Sequence, residues 1–520
     1  MSKFKKGLSL LVILSLSATM AMAGCGKTET KPGSNEPTKT AEATPKPVKL
    51  KWVMVGPAKQ ADADKVYAEF NKRLQEKLPN TTVDIQTLEN AEIEEKWNLM
   101  ISSGEVIDLA WTGYKFNYSS EIQKGAYLPL DELLNKYGQD LKKEIPDWAF
   151  AKAKGSDGKL YSVPNYQQMN AMRYCIFTPK ELADKYLDTK KLSEYAQSQK
   201  TMDAGTFDII EDYLAKLKAD NKLQKGISVE SFAWMADKGM ETVNGDFIKF
   251  RIEDKNVKLF NAVESPEYKL MYDKMADWFK KGYIRQDALS VQNIKQDEGR
   301  KDGYVIWTHG YYSNSSETSS KMNGFPIEAV PIAKDYYIGY GNSSSNTAIA
   351  RTSQNPERAM QLIDLMNTKK GKDLYNFLVW GFEGEHYKKI SENRIETGYG
   401  SQAKNENKYG LWKWAVGNAF NAYETEGDMA GWNDYIVKEV HGKAITSSLM
   451  GFKPNVSNIS NEVAQVLAVS KEYRKALEYG VLPDHEAKYK EFVDKMKKAG
   501  TDKIIAELQK QVDEFLKNKK

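Results

Sequence analysis

LKWVMVGPAKQADADKVYAEFNKRLQEKLPNTTVDIQTLENAEIEEKWNLMISSGEVIDLAWTGY, residues 50–114, alternates between two hydrophobic periods. Leu50 to Val55 is a short apolar run closed by Gly56-Pro57, which predicts a strand and a turn. Val66, Phe70, Leu74 and Leu78 then recur every four residues, with Asp62 or Asp64 available as a cap, so a helix follows. Val83 and Ile85 alternate with polar residues in a second strand. Ile93, Trp97 and Ile101 mark a second helix, and Val106 to Trp111 a third strand. Strand-helix-strand-helix-strand in this span makes an α/β unit with right-handed crossovers. Such sheets bind ligands outside the carboxyl ends of their strands. Trp111-Thr112-Gly113-Tyr114 lies at such an end.

Outward from this unit, the amino terminus is of a different kind. Lys3, Lys5 and Lys6 form a basic head, Gly7 to Met22 is apolar or small, and Ala23-Gly24-Cys25 follows. Residues 1–24 therefore read as a secretory signal peptide. The small residues before Cys25 resemble a bacterial lipobox, with Met22 where leucine is usual, and the resemblance implies a lipidated Cys25. Residues 26–48, GKTETKPGSNEPTKTAEATPKPV, hold no aromatic and almost no large aliphatic residue. They cannot bury enough surface to fold, so residues 25–48 are expected to be a flexible leash to the membrane face.

The remaining chain is long enough for about two to four domains or lobes, and 41% hydrophobic residues supply a core. The leader lysines account for most of the formal charge of +4, so the body is near neutral and nucleic acid is not an expected partner. With two cysteines, lipidation of Cys25 leaves Cys175 alone and excludes an intramolecular disulfide. The 29 Tyr and 11 Trp suit sugar binding, because a pyranose has an apolar face and a hydroxyl rim; large cores use the same residues.

Further along, Phe207 to Leu217 has an apolar helical face, Phe247 to Phe260 alternates as a hairpin, and Tyr268 to Tyr283 is a helix. Met271, Met275 and Trp278 on its one side read as core. Trp234, in SFAWMADKG, suits a sugar platform or a core equally. Gly303 to Gly310 is a second strand-to-loop exit carrying aromatics, and Gly339 to Ser345 is a loop that either offers polar side chains to a ligand or is simply solvated. Asn355-Pro356-Glu357 opens a helix with Ala359, Ile363 and Met366 inward. Thr501 caps a last helix bearing Ile504, Ile505, Leu508, Val512 and Phe515, which should pack back on the body.

IDLAWTGYKFNYSSEIQKGAYLPLDELL (107–134) resembles the first-lobe segment of extracellular solute-binding proteins of bacterial ABC importers, the group that includes maltodextrin-binding proteins. DGKLYSVPNYQ (157–167) resembles the segment where that family crosses to its second lobe. NPERAMQLIDLMN (355–367), WGFEGEHYKK (380–389), NRIE (393–396), YGLWKWAVGNAFNAY (409–423), LMGFKPNVSNISNEVAQV (449–466) and AGTDKIIAELQKQVDEFL (499–516) resemble a branch with an extra C-terminal domain of unassigned function. The resemblance implies a two-lobed periplasmic-binding-protein-like α/β fold with a hinge and a helical C-terminal extension. Its parts would be a first lobe 49–163 with a return segment about 311–375, a second lobe 164–310 with about 376–448, and the extension 449–520.

In that family an aromatic at the Trp111 position, side chains just after it and residues after the crossing strand touch the sugar. The resemblance therefore nominates Trp111, Tyr114, Tyr166 and Gln167 as ligand contacts, although a strand-end tryptophan also suits a core. The family's segment at Gly303 to Gly310 returns towards the cleft, which nominates Trp307 and His309, beside Trp234. The implied function is a monomeric, lipid-anchored binding protein that delivers an oligosaccharide to the permease subunits of an ABC importer, with no cofactor. A binding protein for peptides or another non-sugar solute, or a surface carbohydrate-active enzyme, are the other classes.

Enzymatic signatures are missing. Gly24 to Thr28 ends in Gly-Lys-Thr, but Ala21 stands where a phosphate-binding loop needs glycine. His309, His386, His441 and His485 form no HExxH, there is no cysteine pair for zinc, and no GxSxG elbow occurs. Glu383 and Glu385 beside His386 could serve glycoside hydrolysis only if space, not sequence, brought them together.

Overall fold

The computed structural model describes residues 46–168, 171–223, 225–228, 233–290, 303–341, 345–398 and 408–519. The signal peptide, Cys25, nearly all of the leash and Asn342 to Ser344 lie outside the described residues, as do the side chains of Trp234 and His309. Among the described residues no helix is long and apolar enough to cross a membrane.

Strand β1 (Val48–Val55) buries Leu50, Trp52, Val53, Met54 and Val55. Nearly continuous burial is what a strand covered on both faces requires. Helix α1 (Ala63–Lys77) turns Val66, Phe70 and Leu74 inward, the row spaced at four. Strand β2 (Thr81–Leu88) runs parallel to β1 along its whole length, from Val48 opposite Thr81 to Val55 opposite Leu88. Helix α2 (Ile93–Ser102) buries Ile93 and Trp97, and β3 (Leu109–Gly113) joins the other side of β1. Ile107 and Asp108 precede β3 rather than belong to it; the Asp108 carboxylate accepts the backbone N–H of Lys51 at 2.9 Å.

Two further strands complete this first sheet. Strand β4 (Ser162–Pro164) and the strand Ser345–Ile349 give the order β2-β1-β3-(345–349)-β4, the returning strand lying antiparallel to both neighbours. Between leaving at Pro164 and re-entering at Ser345, the chain builds a second lobe. Its strand β5 (Tyr174–Pro179) is flanked antiparallel by Trp307–Gly310 and Ile327–Pro331. The helix Pro266–Lys280 buries Met271, Met275 and Trp278; the Ser265 hydroxyl caps it by accepting from the N–H of Tyr268. Ile248–Arg251 pairs back with Met240–Asn244 and forward with Phe260–Asn261, so the alternation from Phe247 is the later half of a three-stranded meander.

Two expected boundaries need correction. Ile327–Pro331 hydrogen-bonds to β5, so the return to the first lobe comes at Ser345 and not at residue 311. Leu374, Tyr375, Phe377, Leu378 and Val379 of the helix Lys372–Trp380, with Tyr409, Leu411, Ala415 and Val416, share one core with β1. The described residues of 376–422 therefore belong largely to the first lobe. An apolar helical face declares that it is buried, and its spacing does not say in which of two cores.

The extension comprises the helices Ser460–Glu478, His485–Lys498 and Thr501–Lys519. Their Val466, Leu477, Phe492, Met496, Ile504, Leu508 and Val512 sit in the same core as Met271 and Met275, so the extension thickens the second lobe. Gly480 makes that approach possible: its φ is +67°, and a Cβ there would lie 2.1 Å from the carbonyl oxygen of Met275. The Thr501 hydroxyl donates to the Met496 carbonyl at 2.6 Å, tying the last helix to the one before it.

Candidate functional site

The carboxyl ends of β1, β2 and β3 open on one rim, and aromatic side chains gather there. Trp111, in β3, is not at its surface. It is 1% exposed, and its indole N–H donates to the Ser345 hydroxyl at 2.7 Å. That hydroxyl donates in turn to the Trp414 carbonyl at 2.7 Å and accepts from the Asn165 amide at 3.0 Å. Asn165 also donates to the carbonyls of Trp414 and Ala415, each at 3.2 Å. One serine at the start of a returning strand thus joins three segments distant in sequence.

Above this buried floor lie three accessible rings. Tyr114 is 53% exposed and meets Trp111 edge-on at 5.7 Å between centroids. Its hydroxyl donates to the Asn90 side-chain oxygen at 2.5 Å, from the loop after β2. Trp414 is partly exposed, 6.2 Å from both Trp111 and Tyr114. Trp412 stacks on Trp414 with centroids 5.3 Å apart and planes 19° from parallel. The alternating Trp412-Lys413-Trp414 was visible in the string at 409–423, though nothing in the sequence placed it beside Trp111.

Tyr166, Gln167 and Trp307 are not brought to this rim. Tyr166 and Gln167 are buried where the chain crosses between lobes. The Tyr166 ring packs against Phe420 at 4.8 Å and Trp148 at 5.8 Å, and its hydroxyl meets His441 Nδ1 at 2.8 Å. His441 Nε2 lies 3.3 Å from the Gln168 carbonyl, which can only accept. Nε2 therefore carries the proton and Nδ1 accepts from Tyr166. Burial lowers the His441 pKa to about 4, so the ring stays neutral. Trp307 is 2% exposed in the second lobe, edge-on to Phe177 at 6.0 Å. The expectation that Trp111, Tyr166, Gln167 and Trp307 present a face to a ligand is not met in this conformation, since packing closes around each.

A second aromatic group, unforeseen in the sequence, borders the crossing segments. The Arg173 guanidinium lies 4.3 Å from the ring centre of Tyr311 and 4.9 Å from that of Tyr336. Tyr312 stacks on Tyr336 at 6.2 Å, and the hydroxyls of Tyr336 and Tyr435 are 3.1 Å apart. A cavity of about 350 Å³ opens beside Arg173 and Tyr336.

Among the described residues, Asp62, Glu385 and His386 are the group that places three metal-ligating atoms within 4.8 Å of one another. Its chemistry fits an internal network better than an ion. The Phe382 N–H donates to His386 Nδ1 at 2.9 Å, and Nε2 donates to the Asp62 carboxylate at 3.0 Å, so both ring nitrogens are engaged. That bond holds the Asp62 carboxyl below its ordinary pKa. Glu385 is paired with Lys65 at 2.5 Å, and Glu383 with Lys389 at 3.5 Å. The two carboxylates thus serve separate ion pairs.

A sheet closed by a strand returning from an inserted second lobe, with aromatics on the rim between them, defines a two-lobed solute-binding protein. The chain belongs to the bacterial extracellular solute-binding proteins, whose family profile matches residues 57–373. A second profile, described as a domain of unknown function (DUF3502), matches residues 448–517, the helical extension. A carbohydrate ABC transporter substrate-binding protein of Streptococcus pneumoniae serotype 4 is 27% identical over 491 residues, covering 93% of this chain and 94% of its own. The crystal structure of an N-glycan transport solute binding protein from Streptococcus pneumoniae superposes with a TM-score of 0.76 at 26% identity, covering 91% of this chain and 100% of that one. The same protein in complex with Man5GlcNAc gives 0.65 at 25% identity over the same shares. These relatives are solute-binding proteins by description.

Proposed function

We propose that this chain is the substrate-binding component of an ABC importer for an oligosaccharide, held at the extracellular face by a lipid on Cys25. The observation that carries the reading is the ring series of exposed Tyr114 and half-buried Trp414 and Trp412 at the carboxyl edge of the first sheet. Flat aromatic faces stack on the apolar faces of pyranose rings, and neighbouring polar groups take the hydroxyls. Trp111 supports this platform from beneath. The second lobe closes over it by rotation about the crossing segments, where Tyr166 and His441 are packed. Binding needs no covalent step, no cofactor and no second copy of the chain; the permease subunits receive the closed form. Among the described residues, the lobes are assigned as 48–164 with 345–422, and 174–331 with the extension.

A thermal-shift screen tests this reading. An oligosaccharide such as Man5GlcNAc at a hundredfold excess over its dissociation constant stabilises by about 2.7 kcal/mol. A melting shift with peptides and none with any oligosaccharide would replace the sugar reading with the peptide one. Cys25→Ser should release the chain from the membrane fraction into the medium; retention of that variant contradicts the anchor.

A further inference from the structure

The loop that leaves β1 does something its sequence does not advertise. Asp62 stands at the N-cap of α1, yet its carboxylate makes no cap hydrogen bond. A capping aspartate contributes about 1 kcal/mol to a helix, and here that contact is forgone for His386, 324 residues away in sequence. The His386 ring lies 5.7 Å from that of Tyr409, whose hydroxyl donates to the Leu378 carbonyl at 2.5 Å. The Asp62 backbone N–H donates to the Lys408 carbonyl at 3.2 Å. Two residues earlier, the Gln60 side-chain oxygen accepts the N–H of Gly410 at 2.9 Å. The segment held at Lys408, Tyr409 and Gly410 runs directly into Trp412 and Trp414.

We propose that Gln60 and Asp62 are positioning residues for ligand binding, fixing the segment Lys408–Gly410 and so the stacked pair Trp412 and Trp414. The proposal rests on the reading of those tryptophans as the sugar platform. Each polar contact sets a different point of the segment: Gln60 at Gly410, the Asp62 backbone at Lys408, and the Asp62 carboxylate through His386 at Tyr409. A platform held before ligand arrives loses less freedom on binding, and that difference appears as affinity. Loosening it therefore weakens binding without removing any group that touches sugar.

The test uses paired variants in the full chain. Gln60→Leu and Asp62→Ala remove the acceptors; Gln60→Glu and Asp62→Asn keep an acceptor oxygen in place. Two readouts are taken: the exciton couplet of the stacked indoles in the far-ultraviolet circular dichroism without ligand, and calorimetric affinity for Man5GlcNAc. Trp412→Phe marks the loss of the couplet, and Glu385→Gln, in an exposed pair with Lys65, is the control. Q60L and D62A should shrink the couplet and weaken binding by about tenfold, while Q60E, D62N and E385Q keep both. A couplet unchanged in Q60L and D62A overturns the proposal, as does loss in the conservative variants equal to that in Q60L and D62A. If the unaltered chain binds no oligosaccharide, the functional reading fails, and the couplet still decides whether Gln60 and Asp62 hold the pair.

Discussion

Ser345→Ala removes the hydroxyl that Trp111, Asn165 and Trp414 share. The three partners fare differently. Asn165 keeps the carbonyls of Trp414 and Ala415, and the Trp414 carbonyl keeps Asn165. Only the Trp111 N–H, fully enclosed, is left with no acceptor among its bonded partners. An orphaned buried donor costs about 1–3 kcal/mol, and the lost bond to Trp414 adds about 1. Ser345→Ala should therefore destabilise the first lobe by about 3 kcal/mol. Trp111→Phe removes the donor itself, so the double variant no longer carries the orphan. The coupling between the two substitutions should recover about 1–2 kcal/mol relative to their sum. Urea unfolding of the four proteins, followed by circular dichroism, measures the cycle. Strict additivity would refute the claim that the indole bond to Ser345 holds the platform's floor.

Two further outcomes follow from single residues. His441 has a pKa lowered to about 4 by burial, so the unfolded chain binds the extra proton between its ordinary 6.5 and 4. Its contribution is therefore full above pH 6.5 and is lost as pH falls through that window, by up to about 3 kcal/mol. Melting temperature measured from pH 7 to pH 4 should fall less steeply in His441→Gln, and an unchanged slope contradicts the assignment. Gly480→Ala places a Cβ against the Met275 carbonyl at a positive φ, and should cost at least about 2 kcal/mol. Limited proteolysis should then cut first in the helical extension; resistance equal to the unaltered chain would mean the extension is not seated as described.

The sequence made the first sheet legible because its two periods alternate from Leu50 to Trp111, and the apolar rows met the core they implied except at Val106, which precedes β3 and is exposed. Lobe membership was not legible. Ile327–Pro331 and the helix Lys372–Trp380 advertise burial equally well for either lobe, and only hydrogen bonding to β5 and packing on β1 decide between them. The site was half legible for the same reason. Trp111 was singled out as lying at a strand's carboxyl end, but β3 runs on to Gly113, and a place along a strand does not fix which faces of a residue are covered. Trp412 and Trp414 arrive at that strand end from 300 residues away, through contacts with Ser345, Asn165 and Gln60 that no local pattern records. The sequence offers Asp62 or Asp64 as the helix cap; Asp62 takes the N-cap position, and the histidine that engages its carboxylate is equally remote.

Isothermal titration of the chain with Man5GlcNAc, beside Trp414→Ala and Tyr114→Ala, reaches the central claim most directly. The account predicts saturable binding by the unaltered protein and a loss of at least about thirtyfold in each variant, the scale of about 2 kcal/mol at which an aromatic anchor counts as a hot spot. Oligosaccharide binding that is indifferent to the removal of both rings would contradict it.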